Sequence, residues 1–162
     1  MKTRIRHRLA ANAFAVAILA AGATSAESPR APLPAAYVEE CGSCHVAFPG
    51  RMLDAPSWGA VIGGLEQHFG VDASVDPKTL EPIRAYLASS ARSHPTTTTG
   101  GAPSLRITET RWFRHEHDEV PARLWADPHA VKPSDCAACH RSAAEGSYSE
   151  RSLRLPAKGE GK

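Results

Sequence analysis

The sequence predicts a mainly α-helical fold with extensive irregular loops, arranged as two small and unlike modules. Two short motifs, CGSCH at 41–45 and CAACH at 136–140, contain all four cysteines of the 162-residue chain. Cys-x-x-Cys-His is the pattern at which a c-type haem is attached through two thioether bonds, with the histidine as an iron ligand. Between them, the stretch RSHPTTTTGGAPS at 92–104 has a linker-like composition that places one motif in each half.

Each motif could also belong to a redox disulfide, a structural disulfide or a zinc site. A thioredoxin-like pair needs a βαβ context, and no such pattern surrounds either motif. Paired zinc motifs are typically separated by about 15 to 20 residues, far less than the interval from Cys44 to Cys136, and zinc does not account for a histidine after both pairs. We therefore expect two covalently attached haem c groups, with disulfides or zinc as the alternatives. The expected residues are the thiols Cys41, Cys44, Cys136 and Cys139 and the iron ligands His45 and His140.

The N-terminal segment is typical of an export signal. Its first eight residues contain four basic side chains and no acidic one, and the Ala-rich apolar segment that follows is short for a membrane span. We predict a signal peptide over 1–26 that is cleaved after Ala26, with cleavage after Ala23 or an uncleaved anchor as alternatives. This predicts a periplasmic protein with no stable membrane insertion after cleavage.

Removal of the signal peptide changes the charge balance. The full chain has 19 basic and 17 acidic residues, and four of the basic ones lie within 1–26. The mature chain therefore has a net charge of about −2, which does not indicate a nucleic-acid surface. We divide it into a first haem module at 27–91, a linker at 92–104, and a second haem module at 105–162 with a frayed C-terminus. Modules this short usually need a covalent or metal staple, a role that haem can fill.

Three helices are predicted in the first module. One leads into the first motif with Tyr37, Val38 and Cys41 facing inward. The second begins near Pro56 and ends at Gly70. The third begins with Thr79 as its N-cap, so that Pro82 falls in the first turn, and it presents one apolar face. The apolar positions predicted for the second helix are Trp58, Val61, Ile62, Leu65 and Phe69, and those for the third are Leu80, Ile83 and Leu87.

Two further histidines are candidates for the remaining iron positions. His68 lies at the margin of the apolar stripe of the second helix and is expected to face the interior. In RWFRHEHDEV, Phe113, His117 and Val120 share one face at helical spacing, whereas His115 falls on the opposite face. We expect His68 and His117 to point inward. Ser134 is expected to cap a short helix that carries the second motif.

The order of these motifs resembles a known family. CGSCH…LEQHFG followed by RITETRWFRHEHDEV…CAACHRSA…YSE resembles the small dihaem cytochrome c family of bacterial periplasms, over nearly the whole mature chain. The resemblance implies a first module similar to a small class I cytochrome c, and two histidine ligands on each iron. The implied ligands are His45 and His68 for the first haem and His140 and His117 for the second. The sequence departs from the family pattern at Pro82 and at His115, which is an additional candidate ligand.

The resemblance also implies a function. Family members look like electron carriers rather than enzymes, with redox protein partners that include a small oxygen-binding monohaem cytochrome c and a membrane cytochrome b. Met52 follows His45 by only seven residues, which is a short span for reaching the opposite face of a porphyrin. Two histidine ligands lower the reduction potential relative to His/Met, so we expect low-potential electron transfer. A small haem enzyme or a gas-binding sensor, with one open iron position, is the alternative.

Overall fold

The computed structural model describes residues 32–98, 101–126 and 131–155, which belong to one compact unit. The predicted signal peptide at 1–26 and the predicted frayed end at 156–162 lie outside the described residues. Among the described residues no helix is long and apolar enough to cross a bilayer.

Short helices joined by long irregular segments make up the described part of the chain. It contains no β-strand, only isolated bridges, so the prediction of a mainly helical fold with extensive loops is confirmed. The α-helices are α1 (Ala35–Cys41), α2 (Ala55–Gly63), α3 (Pro77–Ser90), α4 (Arg111–Glu116) and α5 (Arg123–Ala126). Single 3-10 turns lie at Gly50–Met52, Leu65–Gln67, Ile107–Glu109, Cys136–Ala138 and Glu150–Ser152.

The core lies where α1, α2 and α3 meet. Its buried side chains include Tyr37, Leu53, Trp58, Ile62, Ile83 and Leu87. Tyr37 confirms the inward face predicted for α1, but Val38 is 41 % exposed, so that part of the prediction is wrong. Val38 points instead toward the cavity beside the first motif, and the helix ends at Cys41 before the rest of the motif.

Helix α2 is shorter than the sequence predicts. It ends at Gly63, and Gly64 forms its C-cap, because two successive glycines favour termination of a helix. The predicted end at Gly70 is therefore wrong. Trp58 and Ile62 are buried as expected, whereas Phe69 falls outside the helix and is 47 % exposed.

Helix α3 begins earlier than predicted. Asp76 is its N-cap and accepts a hydrogen bond from the amide of Lys78 at 2.9 Å, so the predicted start at Thr79 is wrong. Pro82 consequently lies inside the helix, although it is exposed and displaces no core side chain. The buried face at Ile83 and Leu87 is as predicted, and it packs against α2.

The predicted linker contains residues that are anchored to α2. Asp54, the N-cap of α2, accepts hydrogen bonds from the amides of Ser57 at 2.9 Å and Thr96 at 2.8 Å. The amide of Asp54 in turn donates to the hydroxyl of Thr96 at 3.1 Å. Although burial opposes ionisation, these hydrogen bonds lower the pKa of the Asp54 carboxyl. Thr96 and Ser104 are both buried despite the linker-like composition.

The second half of the chain is more irregular. Thr110 caps α4 by accepting from the amide of Phe113 at 3.1 Å, but the helix ends at Glu116, so the predicted helical continuation to Val120 is wrong. A 3-10 turn carries the start of the second motif. Asp135 precedes this turn without a side-chain cap, so the predicted capping by Ser134 is also wrong.

Contacts join the second half to the first. The guanidinium of Arg51 donates to the carbonyl oxygen of Gly146 at 3.0 Å. A β-carbon at Gly146 would lie 3.6 Å from Leu33 and Pro49, at a backbone φ of +73°. Ala143, between the second motif and this turn, is fully buried. The segment after the second motif therefore lies against the first half.

Candidate haem-binding sites

The first candidate site contains two histidines that face each other. His45 lies in the bend that follows α1, and His68 lies directly after the 3-10 turn Leu65–Gln67. Their ring centres are 6.3 Å apart, with 30° between the ring planes. The early end of α2 makes this approach possible, because the chain turns before it reaches His68.

The second candidate site has the same arrangement. His117 forms the C-cap of α4, and His140 ends the second motif. Their ring centres are 6.1 Å apart, with 73° between the ring planes. His117 thus reaches the interior from a non-helical position, and its neighbour Phe113 is buried as expected.

These separations fit coordination of one metal by two imidazoles. Because a metal–imidazole bond is about 2 Å long, two rings on opposite sides of one metal have centres about 6 Å apart. The observed separations of 6.3 and 6.1 Å match that requirement. Each pair combines one histidine of a Cys-x-x-Cys-His motif with one histidine distant in sequence, namely His68 or His117.

The ring nitrogens are oriented for the same purpose. Nδ1 of His45 donates to the carbonyl oxygen of Val46 at 2.8 Å, and Nδ1 of His117 donates to that of Phe113 at 2.8 Å. A proton held on Nδ1 leaves the lone pair of Nε2 available to a metal. Nδ1 of His140 is buried and has no partner among the described residues.

The electrostatics favour neutral imidazoles. Burial, followed by the neighbouring His45 and Arg106, lowers the pKa of His68. Burial, followed by the neighbouring His117, lowers the pKa of His140. A neutral imidazole is the form that binds a metal.

The four cysteines and two adjoining cavities complete the sites. No disulfide joins any of the four cysteines, so all are available for thioether bonds. Burial, assisted by a neighbouring carboxylate, raises the pKa of Cys41 and of Cys136 to about 11. A cavity of about 290 Å³ adjoins the first motif, and its lining includes Val38, Cys44, His45, Ala47 and Ala144. A second cavity, of about 260 Å³, is lined by Thr108, Phe113, Arg114, His117, Trp125 and Pro133.

Aromatic rings support the histidines. The sequence analysis placed Phe113 and His117 on one face but did not predict these ring contacts. Phe48 stacks on His45 with ring centres 4.7 Å apart, and Phe113 stacks on His117 at 4.0 Å. Tyr148 lies 5.2 Å from His140. An aromatic residue three or four positions from a candidate ligand is the signal that could have indicated the first two contacts.

The loop after the first motif is fixed by two core side chains. The hydroxyl of Tyr37 donates to the carbonyl oxygen of Phe48 at 2.6 Å, and Nε1 of Trp58 donates to that of Gly50 at 2.6 Å. A side chain at Gly50 would collide with Ser90 of α3. The core therefore sets the position of the loop that supports His45.

The remaining described histidines and Met52 lie away from the two histidine pairs. The side chain of His115 is 82 % exposed, and its Nδ1 lies 3.9 Å from a carboxylate oxygen of Asp118. His94 is exposed, and His129 lies outside the described residues. Met52 is buried in the 3-10 turn before α2. The histidine that the structure brings to His140 is thus His117.

Two Cys-x-x-Cys-His motifs, each with a second histidine opposite its own, define a c-type cytochrome with two haem sites. The profile of the dihaem cytochrome c family matches residues 37–148, which include both motifs. The chain belongs to the dihaem cytochrome c family and carries two covalently attached haem c groups with iron.

Solved structures agree with this assignment. A dihaem cytochrome c from Shewanella baltica is 36 % identical, with a TM-score of 0.64, over 80 % of this chain and all of that one. A dihaem cytochrome c purified from Rhodobacter sphaeroides is 38 % identical, with a TM-score of 0.58, over 70 % of this chain and 95 % of that one. A second Rhodobacter sphaeroides structure is 35 % identical, with a TM-score of 0.61, over 73 % of this chain and all of that one. Among curated proteins, no sequence matched this chain.

Proposed function

We propose that this protein is a periplasmic electron carrier whose two haems are each ligated by two histidines and have low reduction potentials. The proposed ligands are His45 with His68 and His140 with His117. The observation that carries the proposal is the pair of ring separations, 6.3 and 6.1 Å, each suited to one metal between two imidazoles. Haem iron would supply the one-electron redox couple.

Ligation on both sides supports transfer of electrons rather than catalysis. An enzyme or a gas sensor of this class needs an iron position that a substrate or gas can reach, and two fixed histidines occupy both positions. Hydrogen bonds from Nδ1 to backbone carbonyl oxygens hold the rings of His45 and His117 in one orientation. Ligation by two histidines in place of His/Met also favours a low potential.

The surroundings of the first motif support exchange of electrons with another protein. Glu39 and Glu40, which directly precede this motif at the end of α1, are exposed, so charged side chains lie at the surface beside the first haem site. We propose redox proteins as partners, with a small oxygen-binding monohaem cytochrome c and a membrane cytochrome b as the candidates carried over from the family resemblance. The mature net charge of about −2 does not favour binding to nucleic acid.

The periplasmic location is proposed from the predicted signal peptide together with the haem attachment motifs. Attachment of c-type haem takes place outside the cytoplasmic membrane, so an export signal and two attachment motifs are mutually consistent. Removal of residues 1–26 would leave no predicted membrane anchor.

Carbon monoxide tests the ligation directly, because it binds reduced haem iron only where a position is open or weakly held. At a carbon monoxide concentration that just saturates the open haem of His68→Ala, the reduced wild-type protein is expected to show no shift of its Soret band. His68→Ala and His117→Ala should each make one haem reactive. His115→Ala is the matched control and should behave as wild type, since its side chain is exposed.

The outcomes separate the two functions. A carbon monoxide adduct on the wild-type protein at that same concentration would contradict the carrier and support a gas sensor or an enzyme. Reactivity in His115→Ala, but not in His117→Ala, would contradict the ligand assignment at the second haem.

A further inference from the structure

The turn that presents His68 has an unusual backbone. Phe69 and Gly70 have φ values of +52° and +99°, and the amide of Val71 donates to the carbonyl oxygen of His68 at 3.2 Å. Two successive positive φ angles are typical of a type I′ turn, which favours Asn and Gly. A bulky side chain in this region is a genuine outlier. Gly70 is suited to its position, whereas Phe69 is not.

Strain of this kind persists only when surrounding contacts hold it. A non-glycine residue in the left-handed region is destabilised relative to glycine unless its surroundings compensate. Relaxation of Phe69 to a negative φ would change the direction of the chain at His68, and therefore the direction of its ring. Contacts of the Phe69 side chain are the candidates for preventing this.

The Phe69 ring contacts both the guanidinium of Arg106 and the ring of His68. The guanidinium carbon of Arg106 is 4.1 Å from the centre of the Phe69 ring, and the Phe69 and His68 ring centres are 4.7 Å apart. The first distance is well within the range of a cation–π contact. The Arg106 guanidinium thus lies over the Phe69 ring, which in turn meets the His68 ring at 59°. We call these contacts the Arg106 stack.

Arg106 is itself held in place. Its backbone carbonyl accepts from the hydroxyl of Ser104 at 3.2 Å, and its Nε lies 3.5 Å from a carboxylate oxygen of Glu109. The next residue, Ile107, packs against the hydrophobic core. The stack therefore ties a segment of the second half of the chain to the ligand turn of the first.

We propose that Phe69 and Arg106 are positioning residues for the first haem: the Arg106 stack holds the strained Phe69 turn that directs His68 toward the iron. The proposal rests on the proposed ligation by His68. In this proposal, the second histidine ligand of the first haem is supported by a residue from the other half of the chain.

The test measures carbon monoxide affinity in the reduced holoprotein and the high-spin fraction in the oxidised one. Loss of a contact that holds the closed turn raises the population with His68 detached, and apparent affinity rises in proportion to that population. Arg106→Gln should raise the carbon monoxide affinity of one haem roughly fivefold. Arg106→Lys keeps the cation and should give an intermediate value.

Phe69→Gly separates the ring from the backbone strain. Glycine accepts a positive φ without cost, so this variant removes the stack and leaves the turn conformation accessible. It should therefore make carbon monoxide affinity independent of Arg106, so that adding Arg106→Gln to Phe69→Gly causes no further increase. Arg84→Gln, an equal loss of charge at an exposed arginine of α3 that lines neither cavity, is the control and should match wild type.

Each outcome decides the matter. Wild-type carbon monoxide affinity in Arg106→Gln would overturn the inference, as would an equal increase in Arg84→Gln or a further increase when Arg106→Gln is added to Phe69→Gly. His68→Ala serves as the reference for a fully open first haem. If that reference stays unreactive, the proposed ligation by His68 is wrong; if it reacts while the stack variants do not, only the positioning role is wrong.

Discussion

Asp54 connects two distant parts of the chain through both of its carboxylate oxygens. One oxygen accepts from the amide of Ser57 at the start of α2, and the other accepts from the amide of Thr96, 42 residues away. Asp54 is buried, so water cannot replace either of these hydrogen bonds in the folded protein. A single side chain thereby caps a helix and docks the segment that follows α3.

Replacement of Asp54 should destabilise the holoprotein clearly. Asp54→Ala removes an N-cap worth about 1 kcal/mol and a charged hydrogen bond worth about 1.5–3 kcal/mol, so we expect a loss of about 2–4 kcal/mol. Urea denaturation measures it. Asp76→Ala, which removes the exposed cap of α3 alone, is the control and should cost about 1 kcal/mol. Equal losses in the two variants would contradict a structural role for the Thr96 bond.

The Asp54 carboxylate also predicts a pH dependence. Its pKa is lowered in the folded protein, so its contribution is complete above the unfolded value of about 3.9 and is lost as pH falls through the folded value. The stability difference between wild type and Asp54→Asn should therefore shrink when urea denaturation is repeated at pH 3. A constant difference from pH 7 to pH 3 would contradict this linkage.

At the scale of single elements, α3 contains an interior proline. Pro82 lacks the amide that would bond to the carbonyl of Lys78, and its ring crowds that carbonyl. Because Pro82 is exposed and faces away from Ile83 and Leu87, the helix keeps its buried face. The sequence reading avoided an interior proline and shifted the helix start to Thr79, but the Asp76 cap and core packing outweighed the local cost.

Replacement of Pro82 should therefore stabilise the protein. Pro82→Ala restores a backbone hydrogen bond and helix propensity, and part of the gain is offset by greater freedom of the unfolded chain. We expect a net gain of about 1–2 kcal/mol. A thermal melt of the holoprotein measures it. Pro77→Ala, at the first helical position where proline is well tolerated, should give no gain; a loss in Pro82→Ala would contradict this account.

Helix α4 shows why an element boundary matters to a site. Helical spacing placed Phe113 and His117 on one face, and the two rings do stack at 4.0 Å. The helix nevertheless ends at Glu116, and His117 reaches the interior as its C-cap with φ −123°. The face was predicted correctly for these two residues, while the helical continuation to Val120 was not.

At the scale of the whole molecule, the two halves share structure at the haem-binding sites. Ala144, just after the second motif, lines the cavity of the first. Arg106 lies over Phe69 in the turn after His68, and Arg51 donates to Gly146 in the second half. The second half therefore contributes Ala144 and Arg106 to the surroundings of the first site. Arg51 of the first half in turn holds the segment that follows the second motif.

The complete, exported protein should contain both haems. Intact mass spectrometry of the periplasmic protein is expected to show a chain that begins at Glu27 and carries two haem masses, because each motif supplies two thiols for thioether bonds. Cys139→Ser should lower the yield of the doubly loaded form. A retained N-terminus would contradict the predicted cleavage, and a single haem mass would contradict attachment at both motifs.

The sequence by itself determined the chemistry: two Cys-x-x-Cys-His motifs, their order, the candidates His68 and His117, and a mainly helical chain with long loops. These follow from local patterns, since thioether attachment needs a fixed spacing and apolar periodicity reports a buried face. Only the tertiary structure decided the start of α3 at Pro77, which leaves Pro82 inside the helix, and the strained turn at Phe69. Such features depend on contacts between residues far apart in the chain, and those contacts outweigh local propensities of about 1 kcal/mol per residue or less.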